Sequence, residues 1–338
     1  MVKDLGIGAL AGLVSALLFG VLLKASPLAI VLYLLAPLPI LIVGLGWSHK
    51  AALAAVVSGS AVLGLLVAPF LGIGFAVYLA IPSWWLAYLA LLGRPRADGS
   101  LEWYPLGRLL AWVAGTAALA FVAIAVIAAP DYQTFRSQLT DLAKRVVQVQ
   151  MQGRPAPASP KQDADKDSGE TPPPAQEAAP VPQPPQDLQG EVGAMLAKLA
   201  PGIAAQGLTI LFAFYLWLAA RIVRISSRLM RSWPDIPATV MPRAVLGVFA
   251  AALGLSLVGG YPGVLGVALV GALSAAFALQ GLAAFHDRSR GRPARGALLF
   301  GLYVVLLLTQ GVAMVALTVF GIIDTATNRR SQRPGPAG

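Results

Sequence analysis

The chain contains no cysteine, only two histidines (His49 and His286) and few charges: 12% of its 338 residues are Asp, Glu, Lys or Arg. Without cysteine there are no disulfides, iron–sulfur clusters, thiol nucleophiles or Cys-type zinc sites, and two histidines cannot build a multi-His metal centre. The sequence also lacks a Walker A loop, a Gly-x-Ser-x-Gly elbow and a His-Glu-x-x-His pair, so no ATPase, serine hydrolase or zincin signature is present. Strand-type alternation is missing as well, which excludes a β-barrel. What the chain has in excess is apolar residues. They make up 57%, and mean hydropathy is +0.73, against about 45–50% apolar and about 25% charged in ordinary soluble domains. One soluble core cannot hide so much apolar surface, so the composition points to an all-α, polytopic transmembrane bundle.

Nine stretches are long and apolar enough to be read as spans: 5–23, 28–46, 51–69, 72–92, 106–129, 202–220, 244–258, 264–284 and 297–321. Apart from Arg108 at the start of the fifth, none contains Asp, Glu, Lys or Arg. The count is about nine, with eight possible, because 244–258 is short and Gly259-Gly260-Tyr261-Pro262-Gly263 makes a tight turn that allows a tilted hairpin. The net charge of +10 follows the rule that cytoplasmic loops collect Lys and Arg, and it argues for lipid rather than nucleic acid as the partner. With the N-terminus in the cytoplasm, Lys50, Arg94, Arg96, Arg108, Arg243, Arg288, Arg290, Arg292 and Arg295 all fall inside. Arg329, Arg330 and Arg333 then fall outside for nine spans and inside for eight. The chain accordingly divides into an N-terminal membrane domain (1–130), an extramembrane segment (131–201), a C-terminal membrane domain (202–323) and a tail (324–338).

The central segment lies outside, in the periplasm, on this orientation. From Gln152 to Asp187 it holds ten Pro and no aromatic residue, a composition that cannot offset its ordering entropy and so predicts disorder. On either side lie amphipathic stripes, Tyr132, Phe135, Leu139, Leu142, Val146 and Val149 before it, and Leu188, Val192, Leu196 and Leu199 after it. Asp131 after Pro130 suits a helix start.

Inside the spans, four features suggest function. Gly8, Gly12, Ala16 and Gly20, spaced by four, give the first helix a flat face for close helix–helix approach, either to a partner or within the bundle. Pro37 and Pro39 break the second span, and Pro82 breaks the fourth beside Trp84, Trp85 and Tyr88; broken helices and aromatic clusters line binding cavities or merely kink and anchor. The intramembrane polar residues are all neutral: Gln206, Thr209, Gln280, Thr309 and Gln310, the last a candidate ligand contact. Without a buried acid, neither a proton-driven antiporter nor an intramembrane hydrolase is expected. Arg221, Arg224, Arg228 and Arg231 fall on one helical face, suited to lipid headgroups or an acidic partner. The loop carboxylates Asp98, Glu102, Asp235 and Asp324 are isolated from any His partner.

Ala36-Pro37-Leu38-Pro39-Ile40 followed by Val43-Gly44-Leu45-Gly46-Trp47 resembles the second-helix signature of the YybS-like, or DUF2232, family of bacterial multi-pass membrane proteins. Pro82–Leu92, then Trp103-Tyr104-Pro105-Leu106-Gly107-Arg108, resembles its proteobacterial branch, and Trp233-Pro234-Asp235-Ile236-Pro237 fits too. The resemblance implies an N-terminal half similar to the substrate-binding S-components of energy-coupling-factor transporters and to cell-shape proteins of the MreD type. S-components dock their membrane partner through a small-residue face on the first helix, a part that Gly8, Gly12 and Ala16 would play here. The expectation is a non-enzymatic bacterial inner-membrane protein without a cofactor. It either binds a small molecule for import, with an ATPase module on other chains, or serves as an envelope scaffold.

Overall fold

A computed structural model describes residues 2–24, 26–152, 186–309 and 311–327. The Pro-rich stretch from 153 to 185, Gln310 and the tail with Arg329, Arg330 and Arg333 lie outside these residues. The fold is an all-α transmembrane bundle. Its helices are α1 (Val2–Gly20), α2 (Pro27–Leu35), α3 (Pro37–Gly46), α4 (His49–Leu66), α5 (Pro69–Phe75), α6 (Ile81–Ala90), α7 (Leu106–Ala128), α8 (Tyr132–Gln152), α9 (Gln186–Ile225), α10 (Ala244–Leu255), α11 (Gly260–Arg288), α12 (Arg295–Thr309) and α13 (Gly311–Thr327). A two-stranded antiparallel hairpin, β1 (Gly93–Pro95) and β2 (Leu101–Trp103), joins α6 to α7.

Local chemistry sets the boundaries. Ser26 and Ser48 cap α2 and α4 by accepting the amide N–H of Ala29 and Ala51, and α2, α3 and α5 each start on proline, where a missing N–H costs nothing. The expected break of the second span is real: α2 ends at Leu35, α3 begins at buried Pro37, and the Ser15 hydroxyl donates to the Ala36 carbonyl at the junction. The fourth span widens into a π turn over Ala76–Ala80 just before Pro82, and the Ser83 hydroxyl donates to the Leu79 carbonyl at 2.7 Å.

Two sequence boundaries are corrected. The short amphipathic piece after the linker and the span 202–220 are one 40-residue helix, α9, with Pro201 inside it. The last span, 297–321, is two helices, α12 and α13. Among the described residues seven helices or helix pairs are long and apolar enough to cross a membrane, and Ala244–Leu255, Arg295–Thr309 and Gly311–Thr327 are shorter apolar helices.

The chain forms two compact units. One joins residues 1–130 to 201–338. In it α1 runs parallel to α4, with Gly8 on Ala51 and Gly12 on Ala55. α13 runs parallel to α11: Thr318 bonds Ser274, Gly321 meets Phe277, and Asp324 meets Gln280 and Arg288. α12 therefore leads away from the C-terminal end of α11, and α13 returns to it. The buried clusters knit both sides of the unit together, for instance Leu41, Leu86 and Val113 with Phe212 and Val223, and Ala114 and Ala118 with Met241 and Phe277. Large apolar side chains also cover the outside, among them Leu65 at 84% and Phe300 at 73% exposure, as a lipid-facing surface requires.

The second unit, 131–200, holds α8 and the start of α9. Asp131 caps α8 as expected, accepting the Thr134 N–H at 2.8 Å and its hydroxyl at 2.7 Å. These bonds hold the Asp131 carboxyl below its usual range. Phe135 is buried, whereas Leu142, Val192 and Leu199 are exposed, so the amphipathic stripes are covered only in part. Val146, Val149 and Leu188 lie where side chains are not described.

Candidate functional site: an apolar cavity at the basic end of the bundle

One end of the larger unit gathers the arginines. The C-terminal ends of α3, α6, α9, α11 and α13 meet the N-terminal ends of α7 and α10 there. The Arg228 guanidinium lies 4.5 Å from the Trp47 ring, Arg231 donates to the carbonyls of Ala90 and Tyr104 at 3.0 Å each, and Gly107 packs on the Val240 backbone. The opposite end is marked by the Tyr261 hydroxyl, which donates to the Ala129 carbonyl at 2.8 Å.

At this basic end a cavity of about 550 Å³ opens between α7, α9 and α11, a volume within the range of small-molecule sites. Its walls are almost wholly apolar: Leu109 and Val113 from α7, Ile210, Phe214 and Trp217 from α9, Leu279 and Leu282 from α11. The segment after α9 floors it with Arg231, Trp233, Pro234, Ile236, Pro237 and Thr239, and His286 and Tyr303 complete the polar end. Ring and backbone contacts fix these groups. The His286 Nδ1–H donates to the Leu282 carbonyl at 2.9 Å, leaving Nε2 to accept from the Tyr303 hydroxyl at 3.3 Å. Arg224 lies 4.9 Å from the Trp233 ring. Asp235 receives two hydrogen bonds from Arg290, which hold its carboxyl below the usual range. Burial lowers the pKa of Arg231, and no carboxylate pairs with it among the described residues.

Beside the cavity lies a polar network. Buried Gln280 accepts the Met241 N–H at 2.8 Å and donates to Asp324 at 3.0 Å and to the Thr325 hydroxyl at 2.9 Å. Arg288 completes it with a 3.1 Å ion pair to Asp324, which is 2% exposed. This corrects the placing of Asp324 in a loop and the reading of the bundle as free of buried acids: α13 continues beyond the apolar run and carries the carboxylate into the protein.

The other sequence candidates distribute differently. The small-residue ladder of Gly8, Gly12 and Ala16 is buried against α4, where a methyl on Gly8 or Gly12 would collide with the main chain of Ala51 or Ala55; Gly20 faces Leu63. That face is occupied within the chain. Pro37 and Pro39 sit in the first turn of α3 and do not line the cavity. Trp84, Trp85 and Tyr88 pack on one another, with centroids 5.8–6.4 Å apart, and Trp84 Nε1 donates to the His49 carbonyl at 3.1 Å. They form an aromatic group at the basic end, away from the cavity lining, in the manner of a membrane-interface belt. The four arginines do not share one helix face, because α9 stops at Ile225 and Ser227 turns the chain with φ 54°. Arg221 and Arg224 flank Trp233, Arg228 covers Trp47, and Arg231 bends inward. Gln310 lies outside the described residues. Thr209 and Thr309 bond back to their own helix carbonyls. Among the described residues no three His, Asp or Glu side chains come together as a metal site would need. Sequence reasoning missed the cavity, His286 with Tyr303, and Arg231 as an inward group; only the Trp233–Pro237 motif pointed at this segment.

Residues 176–325 match the model of the DUF2232 family, described as a predicted membrane protein. No curated protein and no solved structure matches the chain. Over the matched stretch the family resemblance read from the sequence is shown. The stretch contains Trp233–Pro237, Arg231, Gln280, His286, Tyr303 and Asp324, whereas the motifs quoted from the N-terminal half lie before it.

Proposed function

We propose that this membrane protein is a non-enzymatic small-molecule-binding subunit of the bacterial inner membrane, and that the cavity between α7, α9 and α11 is its ligand site. The observation that carries this reading is the cavity: about 550 Å³ with apolar walls and polar groups confined to one end. Such a site holds a molecule by burial and orients it by a few polar contacts. The arrangement of arginines supports a cytoplasmic basic end, a cytoplasmic N-terminus and a periplasmic 131–201 segment. If transport follows, as in S-components, an ATPase module on other chains would dock on a surface other than the Gly8 face, which α4 covers.

The test is native mass spectrometry of the protein purified in mild detergent. A stoichiometric small molecule released on activation, and lost in a folded Ala213→Trp variant that fills the cavity, is the expected result. A wild-type protein that carries and binds nothing, while cell-wall proteins co-purify, would replace this reading with an MreD-like scaffold. One observation favours that second role: Leu142, Val192, Met195 and Leu199 expose apolar surface in the 131–200 unit.

A further inference from the structure

We infer that the occupant of the cavity is a membrane lipid with an anionic headgroup, its tail between α7, α9 and α11 and its head at Arg231; this rests on the cavity being a ligand site. Three observations carry it.

The first is polarity along the cavity. The lining residues of α9 run from Ile210 to Ala220, roughly 15 Å of helix at 1.5 Å per residue, and they are apolar throughout, as are Leu109 and Leu282 opposite. A soluble metabolite rich in hydroxyls or amides would lose its hydrogen bonds to water and gain none along this length. A hydrocarbon chain loses nothing.

The second is the direction of access. Phe214, Trp217 and Tyr303 line the cavity and are 49%, 43% and 49% exposed, so the cavity is not closed over by protein where they stand. α12, which brings Tyr303, buries none of its residues. The cavity therefore opens sideways, where a membrane protein meets acyl chains, and its occupant is drawn from the bilayer.

The third is charge. Arg231 is half-buried at the polar end, two of its N–H groups are held by the Ala90 and Tyr104 carbonyls, and no carboxylate neutralises it among the described residues. A guanidinium keeps its charge at any physiological pH and offers further donors in a fork that matches phosphate oxygens. Nearby Asp235 is already bound by Arg290, so the local balance stays positive. Net negative charge on the head is what this end lacks.

The experiment titrates phosphatidylglycerol, or phosphatidylcholine with the same acyl chains, into the delipidated full chain and reads occupancy by native mass spectrometry. One phosphatidylglycerol per chain is expected, bound about tenfold more tightly than phosphatidylcholine. Arg231→Gln, which keeps amide donors toward the carbonyls but removes the charge, should erase that preference; Ala213→Trp should abolish the tight binding of both lipids. Equal binding of the two lipids to the wild type, lost in Ala213→Trp, overturns the anionic assignment and leaves the cavity as a ligand site. Binding unchanged by Ala213→Trp overturns both. If Arg231→Gln does not fold, the wild-type preference and the filled variant still decide.

Discussion

A carboxylate that is 2% exposed must be answered by donors, and Asp324 is answered on both oxygens, by Gln280 Nε2 and by Arg288 Nη2. Removing it strands a buried amide donor and half of an ion pair. Asp324→Ala is therefore expected to destabilise the protein by about 2 kcal/mol, the range for an unmade buried hydrogen bond to a charged group. Arg288, at 39% exposure, recovers part of its loss from water. Asp324→Asn keeps an oxygen and an amide in place and should cost about half as much. Thermal unfolding in detergent followed by size-exclusion chromatography measures both, and an alanine variant as stable as the native protein would sink this account. Little of it was legible in the sequence. Gln280 stood out as a polar residue within an apolar run, but its partners lie 39, 44 and 45 residues away, and hydropathy ended the last span before Asp324. A buried polar residue announces that it needs partners without naming them.

Helices are easier to read than their pairings. The caps at Ser26 and Ser48 follow from side-chain chemistry within a few residues, and the break at Pro37 stands where the sequence put it, whereas the expected break at Pro82 is only a π turn over Ala76–Ala80 in a helix that runs on. The partner of the Gly8–Gly12 face does not follow from the face itself: any small-residue groove would fit, and α4 offers Ala51, Ala55 and Gly59 in matching register. Likewise the apolar run 297–321 shows no drop in hydropathy, so nothing local told one span from two short helices. That difference decides at which end of the bundle α13 stops. Because α13 runs parallel to α11, Asp324 near its end lies beside Arg288, at the end of the bundle where α11 leads into Arg292 and Arg295. The native chain has no cysteine, so single substitutions give a clean readout. Thr327→Cys and Arg292→Cys should react with a membrane-impermeant maleimide only after cells are opened. Gly259→Cys, at the turn between α10 and α11, should react in spheroplasts. Labelling of Thr327→Cys from outside would restore an odd number of crossings.

At the scale of the whole molecule, composition alone separated membrane from solvent, because an excess of apolar residues leaves no other place for the chain to fold. It could not say that the helices on either side of the 131–200 segment share one set of cores. Leu86 and Val113 pack in the same cluster as Phe212 and Val223, and Ala118 in the same cluster as Phe277. The connection between these halves runs through a separate compact unit, so their attachment is a matter of packing more than of covalent continuity. Two polypeptides, 1–152 and 186–338, expressed together should therefore find each other in the membrane and co-purify through a tag on either one. Failure to co-purify, with both pieces inserted, would mean that the cores need the tether. If they do assemble, the gene tolerates fission at this point. The half that carries most of the family match, which spans residues 176–325, would then be a module that evolution can pair with a different N-terminal companion.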